Sequence, residues 1–286
     1  MSDDATARVF EERHFVDLEN ARVCYRKAGD GPVLVLVHGF PLCGLTWRKV
    51  VPELAKHFTC IAVDLLGLGD SDWRGAASIS SQIQGETIRA TLGALGVSSF
   101  ALAGQDTGGW IAREVAFVDD RVRHLILINT EIPGHRPPWI PLHQKLALLP
   151  GSAAIFRGLL GSALFRRSGM AFGGCFADPA LIEGEFADLF ITPLVASQQR
   201  MNNVFRFLTG MKFARLDEFA QLHAKLRMPV ALVWGADDPT FPEARARAMA
   251  SAMPGFRVFH SIANARLLVH EEQPAQVARA ILQFVR

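Results

Sequence analysis

The sequence predicts an α/β protein: a mostly parallel central sheet flanked by helices, interrupted once by a helical insertion. Three observations predict it. Short, wholly apolar runs such as VLVLV at residues 33–37 have the length and composition of strands buried on both faces of a parallel sheet. Such runs alternate with segments of helical spacing, the pattern of right-handed crossovers between parallel strands. Between about Pro133 and Leu226 the buried-strand runs cease, and they resume at Val230.

Taken in order, the run 33–37 leads into His38-Gly39-Phe40-Pro41. Residues 47–55 are expected to form a helix and 60–63 the next buried strand. Helical spacing over 82–95 is followed by a strand at 100–103 that ends at Gly104. A helix is expected over 110–117 and a strand over 125–128. Pro133, Pro137, Pro138 and Pro141 then break the chain into an irregular entry, since proline fixes φ and removes a donor. The stretch beyond is rich in Phe, Leu and Ala, with helical pieces such as 197–208. Alternation returns with a strand at 230–233, a helix at 242–252, a strand at 258–262 and a final helix at 274–285. The core is thus expected over 1–132 and 227–286, with a helical cap over 133–226.

Composition narrows the class. In 286 residues, half of them hydrophobic, a sizeable core can be buried. The net charge of +2 gives no basis for a nucleic-acid partner or an anionic membrane surface. The polar start lacks an apolar signal region, and no run approaches the ~18 apolar residues of a membrane span. A cytoplasmic protein is expected. Cys24, Cys43, Cys60 and Cys175 show no paired metal spacing and read as free thiols of a reducing compartment. No metal or organic cofactor is implied.

The most informative segment is Phe100-Ala-Leu-Ala-Gly104-Gln105-Asp106-Thr107-Gly108-Gly109. An apolar strand, G-x-D-x-G and a helix form a nucleophile-elbow arrangement with Asp106 in the serine position. The flanking glycines are required because side chains there would collide in a tight, strained turn. At a helix N-terminus the dipole favours an ionised carboxylate. A carboxylate needs no deprotonation at neutral pH. Against an ester carbonyl it would give a reactive anhydride, whereas against an sp3 carbon with a leaving group it gives a stable alkyl ester. Alkyl halides and epoxides are therefore the expected substrates. A second acidic segment, Trp234 to Pro242, closes another apolar strand. Asp238 is the preferred orienting acid there, with Asp237 and the strand-end Glu131 as alternatives.

Together these residues resemble the α/β-hydrolase family, in its branch of haloalkane dehalogenases and epoxide hydrolases. The matching motifs are His38-Gly39-Phe40-Pro41, the Gly67- and Gly69-bearing run from Asp64 to Asp72, the Asp106 elbow, the Asp238 segment, and His270-Glu271-Glu272-Gln273-Pro274. The resemblance covers nearly the whole chain outside the insertion. It implies the α/β-hydrolase fold and a two-step reaction: aspartate attacks carbon, then a histidine-activated water cleaves the ester. It also implies that the backbone N–H groups of Phe40 and Thr107 form an oxyanion hole, and that His38 is structural.

The sequence departs from that family in two places. The family's general base precedes the last helix in a Gly-His pair; here the matching positions hold Arg266 and Leu267. Leucine accepts no proton. His270 three residues on, and His260 at the preceding strand end, are the alternative bases; His270 as a structural residue is the competing reading. On the leaving-group side, the single tyrosine, Tyr25, lies on an early core strand, remote from any cap. Thr107 stands where the family places a halide-binding Trp or carboxylate-binding Arg. Trp110 and Trp139 are the candidate indole donors, packing being the alternative role. The aromatic and Met residues of the insertion are expected to pack it and in part to line a closed apolar pocket for an uncharged, hydrophobic small molecule, with Asn202 or Asn203 as candidate polar contacts. A homologue without hydrolysis, using Asp106 as a base or polar contact in lyase, isomerase or binding chemistry, is the alternative function.

Overall fold

The structure, a computed structural model, describes residues 3–75 and 78–286. Helix α1 (Asp3–Glu11) precedes β1 (His14–Leu18) and β2 (Ala21–Ala28). The parallel core then begins with β3 (Val33–Val37), followed by a 3-10 run at Gly44–Lys49, α2 (Val51–Leu54), β4 (Thr59–Val63) and a two-residue β5 (Asp72–Trp73). Next come α3 (Ser81–Ala94), β6 (Phe100–Gln105), α4 (Thr107–Ala116) and β7 (Val122–Ile128). An all-helical segment follows: α5 (Trp139–Ala147), α6 (Ser152–Leu160), α7 (Ala163–Arg166), α8 (Thr192–Ala196), α9 (Gln198–Gly210), α10 (Phe213–Asp217) and α11 (Phe219–Leu222). The core closes with β8 (Val230–Gly235), α12 (Glu243–Ser251), β9 (Phe256–Ile262), α13 (Val269–Glu272) and α14 (Pro274–Val285).

The sheet runs β1-β2-β4-β3-β6-β7-β8-β9, with β5 on β2. From β4 to β9 every pairing is parallel, and β1, β2 and β5 are antiparallel. Both faces are covered, which is why the central strands are wholly apolar. Val35 and Val37 face one side with α4 residues Trp110 and Val115, while Leu34 and Leu36 face the other with Trp47, Val277 and Ile281. Among the described residues no helix is long and apolar enough to cross a membrane.

The expected helix over 47–55 is two short pieces instead. Pro52 sits in the first turn of α2; it lacks the N–H to continue a preceding turn, and its ring clashes with the carbonyl four residues back. Helix α4 starts at Thr107, three residues before the expected start. The Gly108-Gly109 pair carries no apolar periodicity, so this first turn is silent in a pattern of hydrophobic residues.

Candidate functional site

Four parallel strands end on one edge of the sheet, and each delivers a polar group there: Phe40 N–H after β3, Asp106 after β6, Glu131 after β7 and Asp238 after β8. The crevice at the carboxyl ends of such strands is where α/β sheets place their sites.

Asp106 is held at φ 51°, ψ −132°, a sparsely populated conformation for a residue with a side chain. The turn is possible because a Cβ on Gly104 would lie 2.3 Å from the Gly108 carbonyl oxygen, and one on Gly108 would lie 2.3 Å from that of Val37. The elbow presents the carboxylate to the Phe40 N–H, which donates to Oδ2 at 2.9 Å; the Thr107 N–H also stabilises it. Glu131 is tied to the same carboxylate through a hydroxyl. Thr107 Oγ1 donates to Glu131 Oε1 at 2.9 Å and lies 3.5 Å from Asp106 Oδ2. Thr130 Oγ1 sits 2.8 Å from the Asp106 carbonyl and 3.0 Å from Glu131 Oε2. Beneath them, fully buried Arg113 donates from Nη2 to the Glu131 carbonyl at 2.7 Å.

Burial pushes the Asp106 carboxyl well above the usual carboxylate range, and the nearby Glu131 charge adds to this; the Phe40 and Thr107 N–H groups oppose it. Burial also raises Glu131. This corrects the expectation of an Asp106 ionised by a helix dipole: desolvation and a like-charged neighbour outweigh a dipole, and the pair retains a proton to higher pH. Because the folded-state pKa lies above the unfolded one, the folded protein binds more protons across that window, and stability falls as pH rises through it. Asp106→Asn keeps an acceptor for the Phe40 N–H and removes the charge. Its melting temperature is expected to exceed that of the parent at pH 8, with the gap narrowing toward pH 4; a gap that widens on acidification contradicts this sign.

The pocket above the elbow has a volume of about 530 Å³, within the range of roughly 300–1,000 Å³ usual for small-molecule sites. Phe40, Asp106, Thr107, Trp110, Glu131, Trp139 and Leu267 all line it. Most of its wall is apolar and comes from the helical segment, including Phe156, Phe165, Phe205 and Met201. Phe176, Phe186 and Phe190 instead pack on one another. Asn202 and Asn203 do not line it; they accept i,i+4 bonds from Gln198 and Gln199 along α9. Trp110 Nε1 is buried without a hydrogen-bond partner.

Asp238 stands behind the pocket wall. It accepts from Asn129 Nδ2 at 2.7 Å and the Thr240 N–H at 2.8 Å, and burial raises its pKa to about 6. Among the described residues no histidine occupies the Asp106 side of this acid: Leu267 lines the pocket, its carbonyl accepting from Gln105 Nε2 at 2.9 Å. His270 is corrected from a candidate base to a packed core residue. Its Nε2 lies 2.7 Å from Thr46 Oγ1, its ring sits against Trp47, and burial lowers its pKa to about 4. His260 lies on β9 outside the pocket wall. Tyr25 lies on β2, its ring beside His14. His38 Nε2 accepts from the Leu65 N–H at 2.9 Å, a structural contact. Among the described residues the one histidine of the pocket wall is His143, which the sequence did not single out; its Nε2–H donates to the Met170 carbonyl at 3.1 Å.

Asn129, Arg113 and Gln105 support the site and were also missed. The signal for Asn129 is the abrupt polar run Asn129-Thr130-Glu131 after the apolar 125–128. Arg113 carries no such mark, because an arginine within a helix reads as solvated until its burial is seen.

A family model for the alpha/beta hydrolase fold matches residues 32–272. Haloalkane dehalogenase 2 of Mycobacterium tuberculosis is 26% identical over 285 residues, covering 96% of this chain and 94% of that protein. The soluble epoxide hydrolase of Corynebacterium sp. is 36% identical over 122 residues, 42% of each chain. Among solved structures, an alpha/beta hydrolase fold protein from Burkholderia ambifaria superposes with a TM-score of 0.78 at 25% identity, covering 95% of this chain and all of that one.

Proposed function

We propose, starting from a chain that belongs to the alpha/beta hydrolase fold family, that Asp106 is a nucleophile toward an sp3 carbon of an uncharged, hydrophobic electrophile. The observation that carries this reading is the elbow carboxylate at the floor of the apolar pocket, held by the Phe40 N–H. An Asp106 oxygen bonds to the carbon as the carbon–leaving-group bond breaks, and the electron pair of that bond departs with the leaving group. The segment 133–226 serves as the cap that excludes water.

An alkyl halide fits better than an epoxide. A halide departs as an anion and needs only hydrogen-bond donors, and the unpaired Trp110 Nε1–H is one, with Trp139 on the same wall. An epoxide oxygen needs a proton, and the single tyrosine is on β2. After alkylation the Phe40 and Thr107 N–H groups face the ester oxygen, poised for an oxyanion. Water attack then needs a base, and Leu267 provides none. The ester on Asp106 is long-lived, and hydrolysis is the impaired step.

Intact-mass measurement after incubation with 1-bromoalkanes tests this. The parent gains one alkyl group and Asp106→Asn gains none. Only the ionised carboxylate attacks, and Asp106 titrates above the usual carboxylate range, so adduct formation is expected to be faster at pH 8 than at pH 5. His143→Ala is expected to leave the ester lifetime unchanged, since its ring is engaged with Met170. Neither adduct nor turnover across a panel of halides and epoxides would defeat the reading.

The linkage of Asp106 to Glu131 through the Thr107 hydroxyl, with both carboxyls raised by burial, favours one second reading. A buried acid–base pair under an apolar cap can move a proton within a bound ligand, as a lyase or isomerase does. That reading predicts turnover without added water and without any adduct on Asp106.

A further inference from the structure

The cap does not bury its apolar residues evenly. Among the described residues, eleven large hydrophobic side chains are exposed, and seven of them fall between residues 142 and 164. Leu164 is 85% exposed and Leu148 73%. Leu146, Leu149, Ile155 and Leu159 are exposed and also line the pocket, so they form its rim, continuous with its interior. An apolar patch gathered around one opening is a contact surface rather than scatter.

The same stretch of chain contributes only positive charge. From Trp139 to Ala177 the sequence holds Lys145, Arg157, Arg166 and Arg167 and no Asp or Glu. Glu183 alone serves both Arg166 and Arg167. Arg157 bonds only to neutral groups, Gln198 Oε1 and the Val195 carbonyl. Among the described residues Lys145 makes no ion pair, and it is exposed.

We propose that the α5–α7 face of the cap docks on an anionic lipid surface, so that the apolar electrophile enters the pocket from the lipid phase. Leucines and isoleucine enter the headgroup boundary while cations meet anionic headgroups, the two forces that bind amphipathic helices at interfaces. Apolar substrates concentrate in that phase, and a rim shared between lipid and pocket spares them a passage through water. A second copy of this chain is the poorer occupant, because a two-fold interface sets the same cations against one another. The formal charge of +2 conceals the patch, since acids elsewhere in the chain offset it. The inference extends the proposed function by naming the route of its substrate.

The test is flotation of the full chain with vesicles of phosphatidylcholine alone, or of phosphatidylcholine with phosphatidylglycerol, at two salt concentrations. Binding to the anionic vesicles is expected to be at least about tenfold stronger and to weaken with salt. Leu148→Glu with Leu164→Glu, neither of which lines the pocket, is expected to lower that binding at least about tenfold. Adduct formation with a short, water-soluble bromoalkane in vesicle-free buffer stays unchanged in this variant, which separates failure of docking from failure of the Asp106 chemistry. Absence of binding, equal binding to both vesicle types, or undiminished binding of the variant overturns the proposal. So does a lipid-free dimer, seen by sedimentation, that the same substitutions dissociate.

Discussion

In the Leu267→His, Arg266→Gly variant the ester on Asp106 is expected to hydrolyse about 10²–10⁴ times faster than in the parent, the usual contribution of a positioned general base. On the proposed mechanism the rest of the site supports that step. Leu267 lines the pocket, and its carbonyl is fixed by Gln105, the residue before Asp106. The loop that carries it is tied to the end of β8, where the Asp237 N–H donates to the Ala265 carbonyl at 3.0 Å. Asp238 follows directly. With a carboxyl raised to about 6 by burial, it is ionised at pH 7.5, ready to orient an imidazole and stabilise its charged form. Time-resolved intact mass reads the result: the adduct decays quickly and halide release becomes catalytic. Leu267→Ala is the control, since it opens the same space without a base and leaves the ester lifetime as it was. If the histidine variant holds its ester as long as the parent, the missing base is not what limits hydrolysis.

The fold was legible because its signals are local. A five-residue apolar run such as 33–37 fits a strand covered on both faces, and the covering layers are present on both sides. The α/β-hydrolase fold expected from alternation and the elbow is the fold of the family to which the chain belongs. The elbow was legible for a similar reason: G-x-D-x-G is a steric requirement written in consecutive residues. What escaped was set by tertiary contact. Which of the two readings of His270 applies, base or structural residue, is decided by Trp47 and Thr46, which lie far away in sequence and hold it as a structural residue. The protonation of Asp106 depends on burial and then on Glu131, 25 residues on, which Thr107 links to it. A helix dipole can be inferred from the sequence; desolvation cannot, because it is a property of what closes over the group.

Arg113 is the part of the site least visible in sequence, and its removal is expected to have the largest effect on stability. It is fully buried, with Nε donating to the Gly109 carbonyl at 3.1 Å and Nη2 to Thr130 Oγ1 at 3.2 Å and the Glu131 carbonyl at 2.7 Å. Burial lowers its pKa only to about 10, so it is charged at neutral pH. Arg113→Met keeps most of the volume but leaves those acceptors without a donor and the Glu131 carboxylate without its counter-charge. Breaking a buried charged contact on one side costs about 3–5 kcal/mol, readable as a lower urea midpoint. If the loss comes from the stranded carboxylate, adding Glu131→Gln returns part of it, and the double-mutant cycle departs from additivity by more than about 0.5 kcal/mol. An additive cycle, or a loss under about 1 kcal/mol, the ordinary scale of a single substitution, would instead make Arg113 a packing residue. Glu131→Gln alone carries the argument back to the chemistry. It keeps an acceptor for Thr107 while removing the like charge that helps hold Asp106 protonated. Alkylation of Asp106 should then begin at lower pH than in the parent, by as much as Glu131 and not burial sets its ionisation.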